Sequence, residues 1–228
     1  MAVPVVEALV FDVLGTLVDE PAGIRAAIGE AAPDLDGLGL EALLGIWQRH
    51  IAHEQERIVA GERPFTPSAA LDREAAVLVA EAAGIGDGAV ERLAGAGRRL
   101  RPWPDTVAGL ARLAERFPII GLSNADRPTL LRLNAHAGLR WHQALSAEEA
   151  GTYKPAPEVY RLAVEAAGVA PERLLMVAAH AWDLRGAQAV GMRTAYVARP
   201  VGDPPAPQDG FDLRADGLDD LAGRLEPF

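Results

Sequence analysis

The chain of 228 residues is long enough for one sizeable domain, or for a domain carrying a smaller insertion, and half of it is hydrophobic, enough for a substantial core. A formal net charge of -10 argues against general affinity for nucleic acid or an anionic membrane surface, because neither gains counterion release from an acidic partner. The absence of cysteine excludes disulfides, thiolate-bound zinc and a thiol nucleophile together, and it fits a reducing compartment.

An apolar, β-branched run from Val5 to Val10 reads as a buried strand that delivers Asp12 at its C-terminal end, where open α/β sheets keep their ligand crevices. Gly15 is free to take positive φ and Thr16 follows with a hydroxyl, so the chain can turn sharply back towards the carboxylate. No basic segment precedes the run, and Glu7 and Asp12 interrupt it, so neither a secretory signal nor a membrane span is expected and the expected location is the cytoplasm.

From about residue 20 to 100 only helical spacing appears, over 22–32, 40–60, 68–83 and 89–100, broken by Pro33, by the stretch 61–67 and by the glycine-rich turn 84–88. Past Pro102-Trp103-Pro104 the pattern alternates: helix 105–115, strand 118–123, helix 129–137, strand 144–146, helix 157–167, strand 174–178, helix 184–190, strand 193–197 and a closing helix near 218–225. Such alternation with short loops predicts a parallel sheet covered on both faces. The first strand needs the later ones as partners. The expected organisation is therefore an α/β core of 1–19 and 100–228 with a helical block, 20–99, inserted after the first strand. The proline-rich stretch 200–207 reads as a surface loop.

In a parallel sheet the residues leaving the strand ends share one edge. They are Asp12 with Thr16, Ser123 with Asn124, Lys154 with Tyr160 close behind, and His180 with Trp182 and Asp183. Lys154 stands out because the chain's 22 basic residues include no other lysine. An ammonium is a compact point charge and a guanidinium a planar fork, so keeping one lysine points to a site that needs the former. For Ser123, Asn124 and Asp183 a helix-capping role is the alternative.

The segments Phe11-Asp12-Val13-Leu14-Gly15-Thr16-Leu17-Val18-Asp19, Leu122-Ser123-Asn124, Tyr153-Lys154-Pro155 and Ala181-Trp182-Asp183 resemble, in order, the four motifs of the haloacid dehalogenase superfamily, and more narrowly its 2-haloacid dehalogenase branch. The resemblance implies a Rossmann-like core with an all-helical cap. It implies hydrolysis of a small anionic 2-haloalkanoic acid through an ester on Asp12, with Lys154 orienting the nucleophile and Asp183 anchoring Lys154 and the hydrolytic water. Thr16, Ser123 and Asn124 would donate hydrogen bonds to nucleophile, substrate or halide, with Tyr160, Trp182, Leu14, His180 and Arg49 as further substrate-binding candidates. Phosphatases of the superfamily carry a second Asp two residues after the nucleophile to protonate the leaving group. Leu14 stands there, which suits a leaving group that needs no proton, such as halide. No cofactor is expected, and the resemblance allows a homodimer.

Departures and rivals are visible too. Where the family's cap helix carries Trp-Arg, this chain reads Trp47-Gln48-Arg49, and one residue along a helix is a turn of about 100°. A Ser and an Asn of the fourth motif are replaced by Ala178 and His180. A Mg²⁺-dependent phosphatase or phosphonatase would share Asp12, and an inactive binding protein could share the scaffold. Gly121 to Ala125 approaches a serine-hydrolase elbow without its last glycine, and His50, His53 and Glu54 could form a metal-binding helix face.

Overall fold

The structure is a computed structural model describing residues 6–225, so Val5 and the outermost ends of the expected core lie outside the described residues. Six strands form one parallel sheet: β1 (Ala8–Asp12), β2 (Ile119–Ser123), β3 (Gln143–Ser146), β4 (Leu174–Ala178), β5 (Arg193–Val197) and β6 (Leu213–Ala215), in the order β3-β2-β1-β4-β5-β6. This is the doubly wound arrangement, and β1 and β4 sit side by side where the winding reverses. The sheet was legible except at its edge, since Leu213-Arg214-Ala215 is short, has a polar centre and follows the proline-rich loop.

Alternation along β1 decides which residues serve which layer. Leu9 and Phe11 pack with one apolar cluster, together with α5 (Thr106–Ala114), α6 (Arg127–Ala137) and α9 (Leu218–Arg224). Ala8 and Val10 belong to a second cluster with α7 (Pro157–Ala167) and α8 (Ala181–Ala189). By the same parity Asp12 emerges on the α7–α8 side of the sheet.

Between β1 and β2 the chain is helical: α1 (Glu20–Ala31), α2 (Gly37–Val59), α3 (Ser68–Ala83) and α4 (Val90–Ala94). They share a third cluster built on Ile24, Ile28, Leu44, Trp47, Val79 and Leu93. The last expected helix, 89–100, stops at Gly95 and gives way to a 3₁₀ turn, Ala96–Arg98, because Gly95 and Gly97 weaken continued helix. No helix among the described residues is long and apolar enough to cross a membrane.

Asp126 joins the helical layer to the sheet. Its Oδ1 accepts the Thr129 N–H (2.9 Å) and caps α6, while Oδ2 accepts the Ala69 N–H (2.8 Å) in the first turn of α3 and the Ser68 hydroxyl (3.0 Å). The α3 N-cap position is Pro67, which has no side-chain acceptor, so this carboxylate from across the chain does that work. Tyr153 adds a second tie, its hydroxyl donating to the Thr66 carbonyl at 2.6 Å.

Candidate active site

Asp12 is the last residue of β1, and the turn after it is built on Gly15, whose φ is +78°. A side chain at Gly15 would also collide with His180, since a Cβ there would lie 2.5 Å from the imidazole Nε2. The turn brings Thr16 back: its hydroxyl donates to Asp12 Oδ2 at 2.6 Å and accepts the Ala179 N–H at 2.9 Å. Nucleophile loop and β4 end are thus fastened through one hydroxyl.

Lys154, on the loop entering α7, sends its Nζ to Asp12 Oδ1 at 2.9 Å and to Asp183 Oδ2 at 2.8 Å. Tyr160 on α7 donates its hydroxyl to the remaining oxygen, Asp183 Oδ1, at 2.7 Å. Gly186 makes that reach available, because a Cβ there would sit 2.4 Å from the tyrosine oxygen. Every carboxylate oxygen of the pair therefore has a donor. Lys154 and Asp183 are buried, and Asp12 keeps 6% of its surface exposed, so within this cluster the nucleophile candidate is the acid that solvent reaches.

Burial alone would discharge Lys154, but Asp12 and Asp183 on either side more than reverse it and hold the ammonium above its ordinary pKa. Burial pushes Asp183 up, against the opposing pull of Lys154. Tyr160 is driven strongly upward by burial and by the Asp183 charge, so it stays a donor.

The other expected residues are placed as follows. Asn124 accepts the Lys154 N–H on its Oδ1 (3.0 Å) and donates its amide to Gln55 Oε1 of α2 (3.0 Å), so it bridges the lysine loop and the helical layer. Ser123 is buried, follows the opposite strand parity from Leu122, and accepts the Ala125 N–H at 3.1 Å. The capping alternative does not hold, because Asp126 caps α6 and the N-cap of α8 is His180, without a side-chain cap bond. His180 lies over Gly15 with its ring 5.7 Å from that of Trp182, which is 37% exposed. Leu14 is partly buried and packs against the first apolar cluster. Arg49 is exposed and folds back along its own helix: a Cβ on Gly45 would lie 2.8 Å from its Nη1. Glu54 is taken up by Arg57 and Arg63, and His50 by Glu74; among the described residues no group of three acidic or imidazole side chains could hold a metal ion.

A cavity of about 170 Å³ between α1 and α2 is lined by Glu20, Ile24, Leu44, Trp47, Gln48 and Gln55, among others. Glu20 and Gln55 were not among the sequence candidates. An acid in a helix's first turn reads as complement to the helix dipole, and a glutamine seven residues past Gln48 reads as surface. Gln55 of the cavity wall accepts from Asn124, which in turn accepts the Lys154 N–H, and this joins the cavity to the cluster; the charges of Asp12 and His180 also act on Glu20.

A family model described as haloacid dehalogenase-like hydrolase matches residues 6–191. The chain is 32% identical over 201 residues to (S)-2-haloacid dehalogenase 1 of Pseudomonas sp. strain CBS-3, covering 85% of each protein. It is also 34% identical over 194 residues to a phosphoserine phosphatase of Thermus thermophilus, covering 82% of this chain and 75% of that protein. Its fold superposes on the L-2-haloacid dehalogenase PA0810 with a TM-score of 0.87 and 33% identity, covering 96% of this chain and 98% of that one. The Xanthobacter autotrophicus L-2-haloacid dehalogenase with chloropropionic acid covalently bound gives a TM-score of 0.79 at 25% identity, covering 96% and 97%. With the family model spanning most of its length and the four motifs gathered at one sheet edge, the chain belongs to the haloacid dehalogenase-like hydrolases, on their 2-haloacid dehalogenase branch.

Proposed function

We propose that this chain hydrolyses a small 2-haloalkanoic acid to the 2-hydroxy acid and halide through an ester on Asp12. The observation that carries the reading is the closed cluster in which Lys154 joins Asp12 to Asp183 and Asp12 is the less buried of the two acids. An Asp12 oxygen attacks the carbon bearing the halogen, the carbon–halogen bond breaks, and halide leaves with the bonding pair. Lys154 and Thr16 hold the carboxylate in one orientation, so little reorganisation is needed before attack. Water then adds to the Asp12 carbonyl carbon and the acyl C–O bond breaks; one water proton leaves on the hydroxyl of the 2-hydroxy acid, the other passes to solvent, and Asp12 returns to a carboxylate. Asp183, tied to Lys154 and Tyr160, steadies the ammonium through both half-reactions.

The chemistry requires no cofactor. In this reading residues 20–99 act as a cap over a core formed by the rest of the chain, and the substrate enters between them. A cytoplasmic homodimer belongs to the same reading; the absence of cysteine fits a reducing compartment.

A phosphatase is the second reading, favoured by the likeness to the phosphoserine phosphatase. It requires a proton for the leaving oxygen, and Leu14 can supply none where superfamily phosphatases carry their acid. Halide release from a panel of 2-haloacids, with EDTA and again with Mg²⁺, separates the two: metal-independent halide release is expected. In ¹⁸O water a single turnover should label the peptide containing Asp12 and leave the first product largely unlabelled. Label appearing directly in the first product would remove the ester mechanism.

A further inference from the structure

The cavity between α1 and α2, joined to the Asp12 cluster through Gln55, Asn124 and the Lys154 loop, has an uncommon wall for an anionic substrate. Among its lining residues the charged or titratable group is Glu20, and the polar neighbours are the amides Gln48 and Gln55. No arginine or lysine lines it, and Arg49 turns away along α2. In the neighbouring cluster Lys154 is already shared between Asp12 and Asp183, so the cluster carries a net negative charge before any substrate arrives. A carboxylate entering this space, with Glu20 ionised as well, would meet several like charges and no cation on the cavity wall.

We propose that Glu20 donates a hydrogen bond to the substrate's carboxylate, so that the site takes up its anion together with a proton. Glu20 follows the helix N-cap Asp19 at the start of α1, on the segment leaving the nucleophile turn, and faces the same cavity as Gln48 and Gln55. A carboxyl–carboxylate hydrogen bond is charge-assisted, short and strong, and it needs no cation. The charged and titratable groups acting on Glu20 from other elements are Asp12 at the end of β1, His180 at the start of α8 and Asp72 on α3, whose own carboxyl burial and Glu20 both push up. Glu20 keeps part of its surface exposed, yet the packing around its carboxyl raises it to about 7; His180 opposes that shift and the Asp12 charge adds to it. A bound anion raises it further. The site is therefore charged for anion binding on the acid side of neutrality and loses that capacity as Glu20 ionises.

The proposal rests on the dehalogenase reading only for the identity of the anion, so its test uses propionate, an unreactive carboxylate. Calorimetric binding to the full chain is measured at pH 6 and pH 8, in two buffers of different ionisation enthalpy. Binding about tenfold tighter at pH 6, with about one proton taken up per propionate at pH 8, is expected. Glu20→Gln should abolish both the pH difference and the proton uptake while still binding propionate. Equal binding at the two pH values, no binding, or a pH difference that survives in Glu20→Gln overturns the proposal. For halide release from 2-chloropropionate, kcat/KM should fall above about pH 7 in the wild type and not in Glu20→Gln, while 2-chloropropionamide should show no such limb. pH-coupled propionate binding without halide release would sink the dehalogenase reading and leave the role of Glu20 standing. Halide release with pH-independent binding would do the opposite.

Discussion

The two sides of the cleft are built on opposite rules. On the sheet side every ionised group has its partner: Asp12, Lys154 and Asp183 form a closed chain, with Thr16 and Tyr160 filling the remaining oxygens. On the helical side a partly buried carboxyl and two amides line the cavity with no cation among them. A closed network holds its geometry whatever is bound, because no member gains by moving. An underpaired wall responds to what enters. On the proposed reading bond-making falls to the sheet edge and substrate choice to the helices, and the contrast can be broken residue by residue.

The largest effect is expected at Lys154. Lys154→Ala leaves Asp12 and Asp183 facing each other without their cation, costing about 3–5 kcal/mol in urea unfolding and abolishing halide release. Lys154→Arg should lose activity nearly as completely, since a fork cannot take the place of a point charge packed at 3% exposure. Full turnover in the arginine variant would mean that the sheet side tolerates looseness and the comparison fails.

Asp126→Ala comes next, because it uncaps α3 and α6 at once; a loss of about 2 kcal/mol is expected, roughly one for each helix. Hydrogen exchange should rise at Ala69 and Thr129 together. Exchange rising at one alone would show that the two layers are not fastened through this carboxylate.

Tyr160→Phe removes a single donor from the closed network and should cost about 1–2 kcal/mol, with kcat reduced and KM little changed. Arg49→Ala should be the quietest, altering neither halide release nor the unfolding midpoint, since the side chain lies exposed on its own helix. A raised KM in that variant would place a cation on the helical wall after all.

The sheet side was legible because strand periodicity delivers residues to a known edge. Asp12, Lys154, Tyr160 and Asp183 could be gathered from four separate segments before any coordinate was known, and the structure brings those four together. Ser123 shows the limit, since it alternates with Leu122 along β2 and the hydrogen bond its hydroxyl accepts comes from the Ala125 N–H, not from the cluster. The helical side was legible only as helices. Which faces of α1 and α2 enclose the cavity depends on how an inserted layer docks, and no local pattern encodes that. Glu20 therefore looked like an ordinary first-turn acid, and Gln55 like surface. Asp126 did carry a local sign, an Asp two residues before Pro128, which marks a helix start earlier than 129; its second role at α3 had none.

Keeping one lysine, and burying it, also fixes how this protein meets amine chemistry. Its surface cations are arginines, so acylating and carbonyl reagents, which modify neutral primary amines, find no side-chain target on the folded chain. The Lys154 ammonium is 3% exposed and held protonated between two carboxylates, hidden from such reagents by both burial and charge. Acylation at residue 154 would therefore count openings of the cleft, in a molecule whose side chains offer no competing amine.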